Sequence, residues 1–254
     1  MPIEKQLKYP LDATSKAVFR RTMREMLPEM IADVFWDKVY YYSSTFEAID
    51  VSEAVSPFST WILDKTGTAV PDADVTTNRV RLHTGTTSGN RSELLHNITA
   101  ESNLLMYGRR TRFRTQIDLS SVTAVTAYVT SSGARLVGTF GFKIVNNELF
   151  GVVTDSASAE TLTGVLATLS VDTPVQIEAR WDSERSISFY IAATTSDAME
   201  LVGVLRSGFT SVIANQTSYG QMIYYRITTD EAVDKHLLFS TFEFMQDIWK
   251  GLPK

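Results

Sequence analysis

Most of the chain alternates apolar and polar residues, which is the pattern of a β-strand with one buried face. Residues 175–182 show it most clearly, with apolar side chains at the odd positions and polar side chains at the even positions. A polar turn at 183–186 follows, and the alternation resumes over 187–191. The pattern predicts a β-hairpin whose Trp181 fills the core between two sheets rather than stacking on a sugar.

Similar stretches, separated by residues that favour turns, recur along the chain from residue 44 onward. They are 44–53, 78–84, 112–119, 124–130, 139–154 (a second hairpin around Asn146 and Asn147), 164–170, 199–207, 221–228 and 236–245. A series of about eleven to thirteen short strands predicts an antiparallel sandwich or barrel. The side chains expected to share one core are Phe113, Ile117, Phe142, Ile177, Trp181 and Phe189.

The N-terminal part follows a different period, because apolar residues over 19–34 recur at steps of three and four. This spacing predicts helix, and Pro28 divides it into two short helices at about 14–26 and 28–38, or one kinked helix. The predicted organisation is an N-terminal arm and helical segment over 1–43 and a β-sandwich over 44–254.

The apolar side of that helical segment must be buried, since so short a helix is marginal alone. Its methionines suit an adaptable contact surface. The residues predicted to contact a partner or another copy of the chain are Phe19, Met23, Met26, Leu27, Met30 and Ile31. We expect a homo-oligomer, with a trimer favoured.

Composition narrows the classes of function. The apolar fraction of 44% supports a real core, and the net charge of −5 argues against a nucleic-acid-binding protein. The chain has no cysteine, which excludes thiol catalysis and thiolate metal sites. It has no apolar run long enough for a membrane span, and its N-terminus lacks the features of a secretory signal.

No catalytic signature is visible, and neither a nucleophile elbow nor a phosphate-binding glycine motif is present. Glycosidases need two carboxylates about 5–9.5 Å apart. The acidic residues at Glu47, Asp50 and Glu53, and at Glu243 and Asp247, are spaced by three or four, which does not place them side by side on one strand face. We therefore expect no catalytic residue and no cofactor.

Metal ligands are also not expected. His83, His96 and His236 lie far apart in sequence. His83 and His96 could meet on neighbouring strands, but separate surface positions are favoured. Residues 71–78 offer oxygen ligands without the glycine and distal glutamate of a helix–loop–helix calcium site, so a solvated loop is the favoured interpretation.

The densest basic run, at 109–114, coincides with a predicted strand. With two arginines of the 78–84 strand it could form a positive strip that contacts an acidic partner. The alternative is a solvated strand face balanced by Asp118 and Glu93. The residues proposed for surface recognition are Arg79, Arg81, Arg112 and Arg114.

Three stretches, taken in order, resemble the concanavalin A-like and laminin G-like lectin jelly roll. Residues 80–94 resemble its early strand and glycine-bearing loop, 112–144 its long curved strand and a following central strand, and 174–191 its hairpin with a Trp-Asp turn. In such a fold the closing strand 237–245 would pair near an opening strand at 46–51.

Jelly rolls of this kind that are rich in threonine and free of cysteine resemble modules of tailed-virus (bacteriophage) virion proteins. The resemblance implies a non-enzymatic structural protein, such as a capsid decoration, head fibre or tail component, that contacts other virion proteins. It would be made in the host cytoplasm without a signal peptide. One alternative is a carbohydrate-binding or receptor-recognition module that binds a surface glycan, and another is a glycan-cleaving enzyme.

Overall fold

A computed structural model describes residues 39–44, 61–67, 69–74, 79–97, 111–131, 135–155, 157–183, 186–194, 197–206 and 221–247. Within these ranges the regular structure consists of fifteen β-strands and no α-helix. The strands are β1 (Val39–Ser44), β2 (Trp61–Lys65), β3 (Val70–Asp74), β4 (Arg79–His83), β5 (Arg91–Asn97), β6 (Thr111–Leu119), β7 (Val125–Ser131), β8 (Phe140–Val145), β9 (Glu148–Thr154), β10 (Glu160–Thr168), β11 (Val175–Ser183), β12 (Ser186–Ala192), β13 (Glu200–Leu205), β14 (Gln221–Thr229) and β15 (His236–Asp247).

The strands form two antiparallel sheets. The larger sheet has eight strands in the order β13-β12-β11-β6-β15-β4-β3, and β1 also pairs with β15. The smaller sheet has seven strands in the order β10-β9-β8-β7-β14-β5-β2. Along the described strands the chain changes sheet eight times, between β1 and β2, β2 and β3, β4 and β5, β5 and β6, β6 and β7, β10 and β11, β13 and β14, and β14 and β15. This architecture confirms the predicted antiparallel β-sandwich.

The core lies between the inner faces of the two sheets and contains all six residues predicted for it. Trp181 is 2% exposed and meets the ring of Phe140 edge to face, with centroids 5.5 Å apart. Phe189 packs against Phe142, and its ring occupies the space that a side chain at Gly151 would need, 2.5 Å from the ideal Cβ position. The prediction that Trp181 belongs to the core is confirmed.

Several strands lie where the sequence pattern predicts them, but the pattern did not predict others. The hairpin at 139–154 is formed by β8 and β9, and Asn146 adopts the left-handed backbone that its turn requires, with φ of 55°. The prediction of a loop over 71–78 is wrong at its start, since β3 extends through Asp74 and pairs with β4. β3 is the last strand of its sheet, where a proline such as Pro71 is tolerated.

The first described strand lies earlier in the chain than expected. β15 pairs with β1, with Tyr42 opposite Phe244, whereas the predicted opening strand at 46–51 is outside the described residues. β1 therefore begins inside the segment predicted as N-terminal. The division at 43/44 falls at the end of β1 and stays a prediction. The helices at 14–26 and 28–38 and the contact residues between Phe19 and Ile31 lie outside the described residues and also stay predictions. No helix in the described ranges is long and apolar enough to cross a membrane.

Candidate functional site

The outward face of the larger sheet carries three arginines around one glutamate. Strands β6 and β11 are neighbours, and their register sets Arg114 opposite Glu178 and Arg112 opposite Arg180. Phe113 lies between Arg112 and Arg114 in sequence and is fully buried in the core, so the two arginines face outward. We call Arg112, Arg114, Arg180 and Glu178 the arginine group.

Glu178 is the centre of the arginine group, and its side chain is fully buried although it lies on the outward face. The Nε and Nη2 atoms of Arg114 both lie 2.7 Å from Glu178 Oε2. Arg180 Nε donates to Oε1, and Arg112 Nε lies 3.8 Å from Oε2. The guanidinium groups cover the carboxylate, while the arginine side chains remain 25–34% exposed.

A β-bulge in β15 brings a second carboxylate to the arginine group. The register shift between Phe239 and Phe242 allows both rings to enter the core, so Glu243 faces outward opposite Arg114. Glu243 Oε2 is 3.9 Å from Arg114 Nη1 and 4.0 Å from Arg112 Nη2, beyond hydrogen-bonding distance. Three guanidinium groups therefore meet two carboxylates, of which only Glu178 is hydrogen-bonded to them.

The electrostatics of Arg112 follow from this arrangement. Burial lowers its pKa below the usual value, against the opposing effect of Glu178, and the neighbouring Arg114 lowers it further. Its Nη2 donates to the sulfur of Met245 at 2.9 Å, which is a weak acceptor. A guanidinium stays protonated at ordinary pH, and the carboxylates of Glu178 and Glu243 lie 3.8 and 4.0 Å from Arg112, beyond hydrogen-bonding distance.

An aromatic ring borders the arginine group. Tyr190 lies opposite Glu178 on the neighbouring strand β12, and Arg180 Cζ is 4.0 Å from the centroid of its ring. This cation–π contact places the Arg180 guanidinium over the ring. Both side chains are partly exposed, so the arginine group continues into a partly aromatic surface.

The structure places the four predicted recognition residues on one face of one sheet but does not bring them all into contact. Arg79 and Arg81 lie on β4, which β15 separates from β6. Arg79 Nη1 is 3.3 Å from Asp118 Oδ2, which agrees with the expected balance by Asp118. Burial raises the pKa of Asp118, and Arg79 acts in the opposite direction.

The expected balance by Glu93 is wrong, because Glu93 belongs to the smaller sheet. It lies on β5 and is 2% exposed. Its Oε2 accepts a hydrogen bond of 2.9 Å from Arg135, and Arg91 and Arg226 approach its Oε1 at 3.3 and 3.7 Å. The arginines of β4 and Glu93 of β5 are close in sequence, but they lie on the outward faces of different sheets.

Two members of the arginine group were not singled out from the sequence. Glu178 and Arg180 occupy the polar positions of the hairpin at 175–191, so the alternation does assign them to an outward face. The alternation does not predict that β11 pairs with β6, because the two strands are far apart in sequence. Parity alone predicts which face a residue occupies, and the sheet order determines its neighbours.

The histidines also meet in an unexpected combination. His83 and His96 lie in different sheets, whereas His83 and His236 are paired across β4 and β15. Asp234 lies with them, and one ligand atom from each of the three residues is within 4.8 Å of the others. Burial tends to raise the pKa of Asp234, but hydrogen bonds from both histidines and from Gly85 N–H outweigh it and lower the pKa.

The carboxylates considered for hydrolysis do not form a described acid–base pair. Glu47, Asp50 and Glu53 lie outside the described residues. Glu243 lies beside the two arginines of β6, and for Asp247 only the backbone position at the end of β15 is described. The absence of enzymatic activity stays a prediction.

No protein-family model and no curated protein matches the chain. Among solved structures, a protein of unknown function from Shewanella oneidensis MR-1 is similar over 98% of this chain and 99% of its own, with a TM-score of 0.61 and 14% identity. At this identity the similarity shows the fold alone.

Two botulinum neurotoxin structures give weaker similarities. One is of type C, whose cell entry is dependent upon interaction with two ganglioside molecules, with a TM-score of 0.48 and 13% identity. The other is the serotype C1 binding domain, with a TM-score of 0.49 and 11% identity. Each match covers 75% of this chain and only 44% or 45% of the neurotoxin chain. The function must therefore be argued from the chain's own residues.

Proposed function

We propose that this protein is a non-enzymatic binding module that recognises a carboxylate-bearing sugar of a surface glycan with the arginine group. The observation that carries the proposal is the arrangement around Glu178. Three guanidinium groups share this one buried carboxylate, and the second carboxylate, Glu243, stays 3.9–4.0 Å away.

The chemistry of the guanidinium group favours a carboxylate ligand. Each guanidinium has five N–H donors in a planar fork that matches the two oxygens of a carboxylate. Arg114 directs its Nε and Nη2 to Glu178, and its Nη1 points toward the more distant Glu243. An incoming carboxylate would find donors already fixed by Glu178 and would compensate the charge of Arg112, so its binding requires little reorganisation.

The surroundings favour a sugar as the carrier of that carboxylate. Polar side chains beside the arginine group include Gln116 and Ser240, whose Oγ donates to Gln116 Oε1 at 2.7 Å. The ring of Tyr190 provides one partly exposed aromatic surface. Charged and polar groups bordered by an aromatic ring suit an acidic sugar better than an apolar peptide.

The test compares acidic and neutral oligosaccharides of matched length by calorimetry, after a glycan array has selected the best acidic ligand. We expect selective binding of the acidic ligand that weakens with added salt. Arg112→Gln should reduce its affinity about tenfold or more, since a charge-assisted hydrogen bond is lost. Arg112 is preferred for this test because its distance to Glu178, 3.8 Å, is too long for a hydrogen bond. Its removal therefore leaves the hydrogen bonds of Glu178 in place.

The matched control is Arg226→Gln on the smaller sheet, where Arg226 lies 3.7 Å from Glu93. This variant should bind as the unmodified protein does. Equal binding of acidic and neutral ligands, or full affinity in Arg112→Gln, would overturn the proposal. Binding of acidic proteins without binding of acidic glycans would show that the recognised carboxylates belong to a protein partner.

We extend the proposal to the setting predicted from the resemblance, in which the module is carried on a virus particle as a homo-oligomer. Support comes from the resemblance of residues 80–94, 112–144 and 174–191 to the jelly roll, whose β-sandwich fold class this chain has. Co-fractionation of the protein with assembled capsids or tails tests the setting. Release of sugar from a polysaccharide would instead favour the glycan-cleaving alternative.

A further inference from the structure

We propose that His83, Asp234 and His236 form a binding site for a divalent transition metal of the zinc class. The proposal goes beyond glycan recognition and concerns a different part of the larger sheet. It rests on the geometry of the three side chains, on their chemistry and on the backbone that holds them.

The pairing of β4 with β15 creates the geometry. His83 and His236 are direct partners in the register, and both face outward because Leu82 and Leu237, beside them in sequence, are fully buried. The two imidazole rings lie with their centroids 4.1 Å apart. Asp234, two residues before His236, places its Oδ2 3.0 Å from His83 Nδ1 and 3.0 Å from His236 Nε2.

The three groups are a typical donor set for zinc and related ions. Two imidazole nitrogens and one carboxylate oxygen occur as ligands in zinc and non-haem iron sites. Ligands about 2.0–2.1 Å from a tetrahedral ion are about 3.3 Å from one another. The observed separations of 3.0 Å between oxygen and nitrogen need to widen by only a few tenths of an ångström.

Contacts around the site fix the carboxylate. The backbone N–H of Gly85 donates to Asp234 Oδ1 at 2.8 Å, which orients Oδ2 toward the histidines. The residue before Gly85 is joined to Lys235, which immediately precedes β15, by two hydrogen bonds: Thr84 N–H donates to Lys235 O at 3.0 Å, and Lys235 N–H donates to Thr84 Oγ1 at 2.9 Å. His236 N donates to Ser120 Oγ at 2.8 Å. Partners of this kind orient metal ligands and raise affinity.

The nearest lysine does not oppose a cation at this position. Lys235 lies between Asp234 and His236 in sequence, but its side chain is 1% exposed and points to the other side of the strand. Its Nζ contacts the carbonyl oxygens of Thr123 and Ala124 and the carboxylate of Glu231. Its charge is therefore compensated away from the site.

The site is also accessible. The side chains of His83, Asp234 and His236 are 18%, 33% and 25% exposed, so an ion can enter from solvent. Three protein ligands leave a fourth tetrahedral position for water or for a ligand atom. A bound ion would link the end of β4 to the start of β15.

The experiment uses the full chain without a histidine tag. Zn²⁺ binding is measured by calorimetry, and Co²⁺ is used as a spectroscopic probe, since its visible bands report coordination by nitrogen and oxygen. We expect one saturable ion per chain and a rise in Tm with Zn²⁺ that EDTA reverses. His83→Ala, His236→Ala and the isosteric Asp234→Asn should each weaken binding about tenfold or more.

The matched control is His96→Ala, which removes the remaining histidine of the chain from a strand of the other sheet and should leave binding unchanged. Near-ultraviolet circular dichroism of each variant confirms that it is folded, and Asp234→Asn keeps the test valid if a histidine variant does not fold. Failure of the unmodified protein to bind either ion, or full binding by a folded His83→Ala, His236→Ala double variant, would overturn the proposal. Arg112→Gln should not change metal binding, which separates this result from the glycan test.

Discussion

The two sheets of the sandwich each bury one glutamate on the outward face, and each surrounds it with three arginines. On the larger sheet Glu178 is fully buried beneath the arginine group. On the smaller sheet Glu93, 2% exposed, is approached by a second set. We call the second set, Arg91, Arg135 and Arg226 with Glu93, the smaller-sheet group.

The two groups differ in how the second carboxylate is used. In the smaller-sheet group Arg135 Nη1 contacts Asp64 Oδ2 at 2.6 Å and Glu93 Oε2 at 2.9 Å. In the arginine group the second carboxylate, Glu243, stays 3.9–4.0 Å from its two arginines. The formal charges are the same, but only in the smaller-sheet group is the second carboxylate held by a short hydrogen bond.

The directions of the pKa shifts express the same difference. The hydrogen bond that Arg135 donates to Asp64 raises the pKa of Arg135, against the effect of burial. For Arg112 burial prevails and the pKa is lowered. A cluster of charges is therefore not by itself evidence of a binding site. The useful evidence is whether the charges already satisfy one another.

The largest expected difference between the groups appears when the central glutamate is neutralised. Glu178→Gln leaves three arginines with only the distant Glu243, and it should lower the free energy of unfolding by about 3 kcal/mol, near the lower end for a broken buried ion pair. Glu93→Gln should cost less, about 1–2 kcal/mol, because Arg135 keeps Asp64. Urea unfolding followed by tryptophan fluorescence measures both values. Equal losses would contradict the contrast.

Removal of one arginine from each group should have a smaller effect on stability. Arg135→Gln breaks two short hydrogen bonds and should cost about 1 kcal/mol. Arg112→Gln removes contacts of 3.8–4.0 Å and an incompletely compensated charge, so the stability should change by no more than about 0.5 kcal/mol. The same unfolding experiment applies. A greater loss for Arg112→Gln than for Arg135→Gln would show that Arg112 has a structural role.

The smallest effect concerns two aspartates, one on each sheet. The hydrogen bond from Arg135 lowers the pKa of Asp64, so its contribution to stability is present above about pH 4 and is lost as the pH falls through the lowered pKa. Burial raises the pKa of Asp118, so its ionised form disfavours the folded state at neutral pH and this penalty disappears in acid. Carboxyl-carbon NMR titration should place the two values on opposite sides of the usual aspartate pKa. Shifts in the same direction would contradict the assignment.

The predictability of the fold from the sequence depends on the local pattern. Strands with strict alternation, such as β6 and β11, were predicted within one or two residues, because a two-residue period can arise only from a half-buried strand. β2 and β5 were missed, since Trp61–Leu63 and Leu94–Leu95 place apolar residues next to each other. Adjacent apolar residues do not distinguish a strand from other buried structure.

The candidate site was predicted less completely, because it depends on contacts between distant strands. The outward positions of Arg112 and Arg114 follow from alternation, but their proximity to Glu178 follows from the sheet order. The position of Glu243 depends on the β-bulge between Phe239 and Phe242. Both phenylalanines are buried although one has an odd and the other an even number, and this irregularity is recognisable only when the core is known. The histidine pair required the register of β4 and β15, which no local pattern contains.

The central claim is that the arginine group, and not the smaller-sheet group, binds a carboxylate. The most direct measurement is an NMR titration of the arginine Nε–Hε resonances with a hexuronic acid oligosaccharide. We expect saturable shifts for Arg112, Arg114 and Arg180 with one common dissociation constant, and no saturable shift for Arg91, Arg135 and Arg226. Equal shifts in both groups, or shifts confined to the smaller-sheet group, would contradict the account.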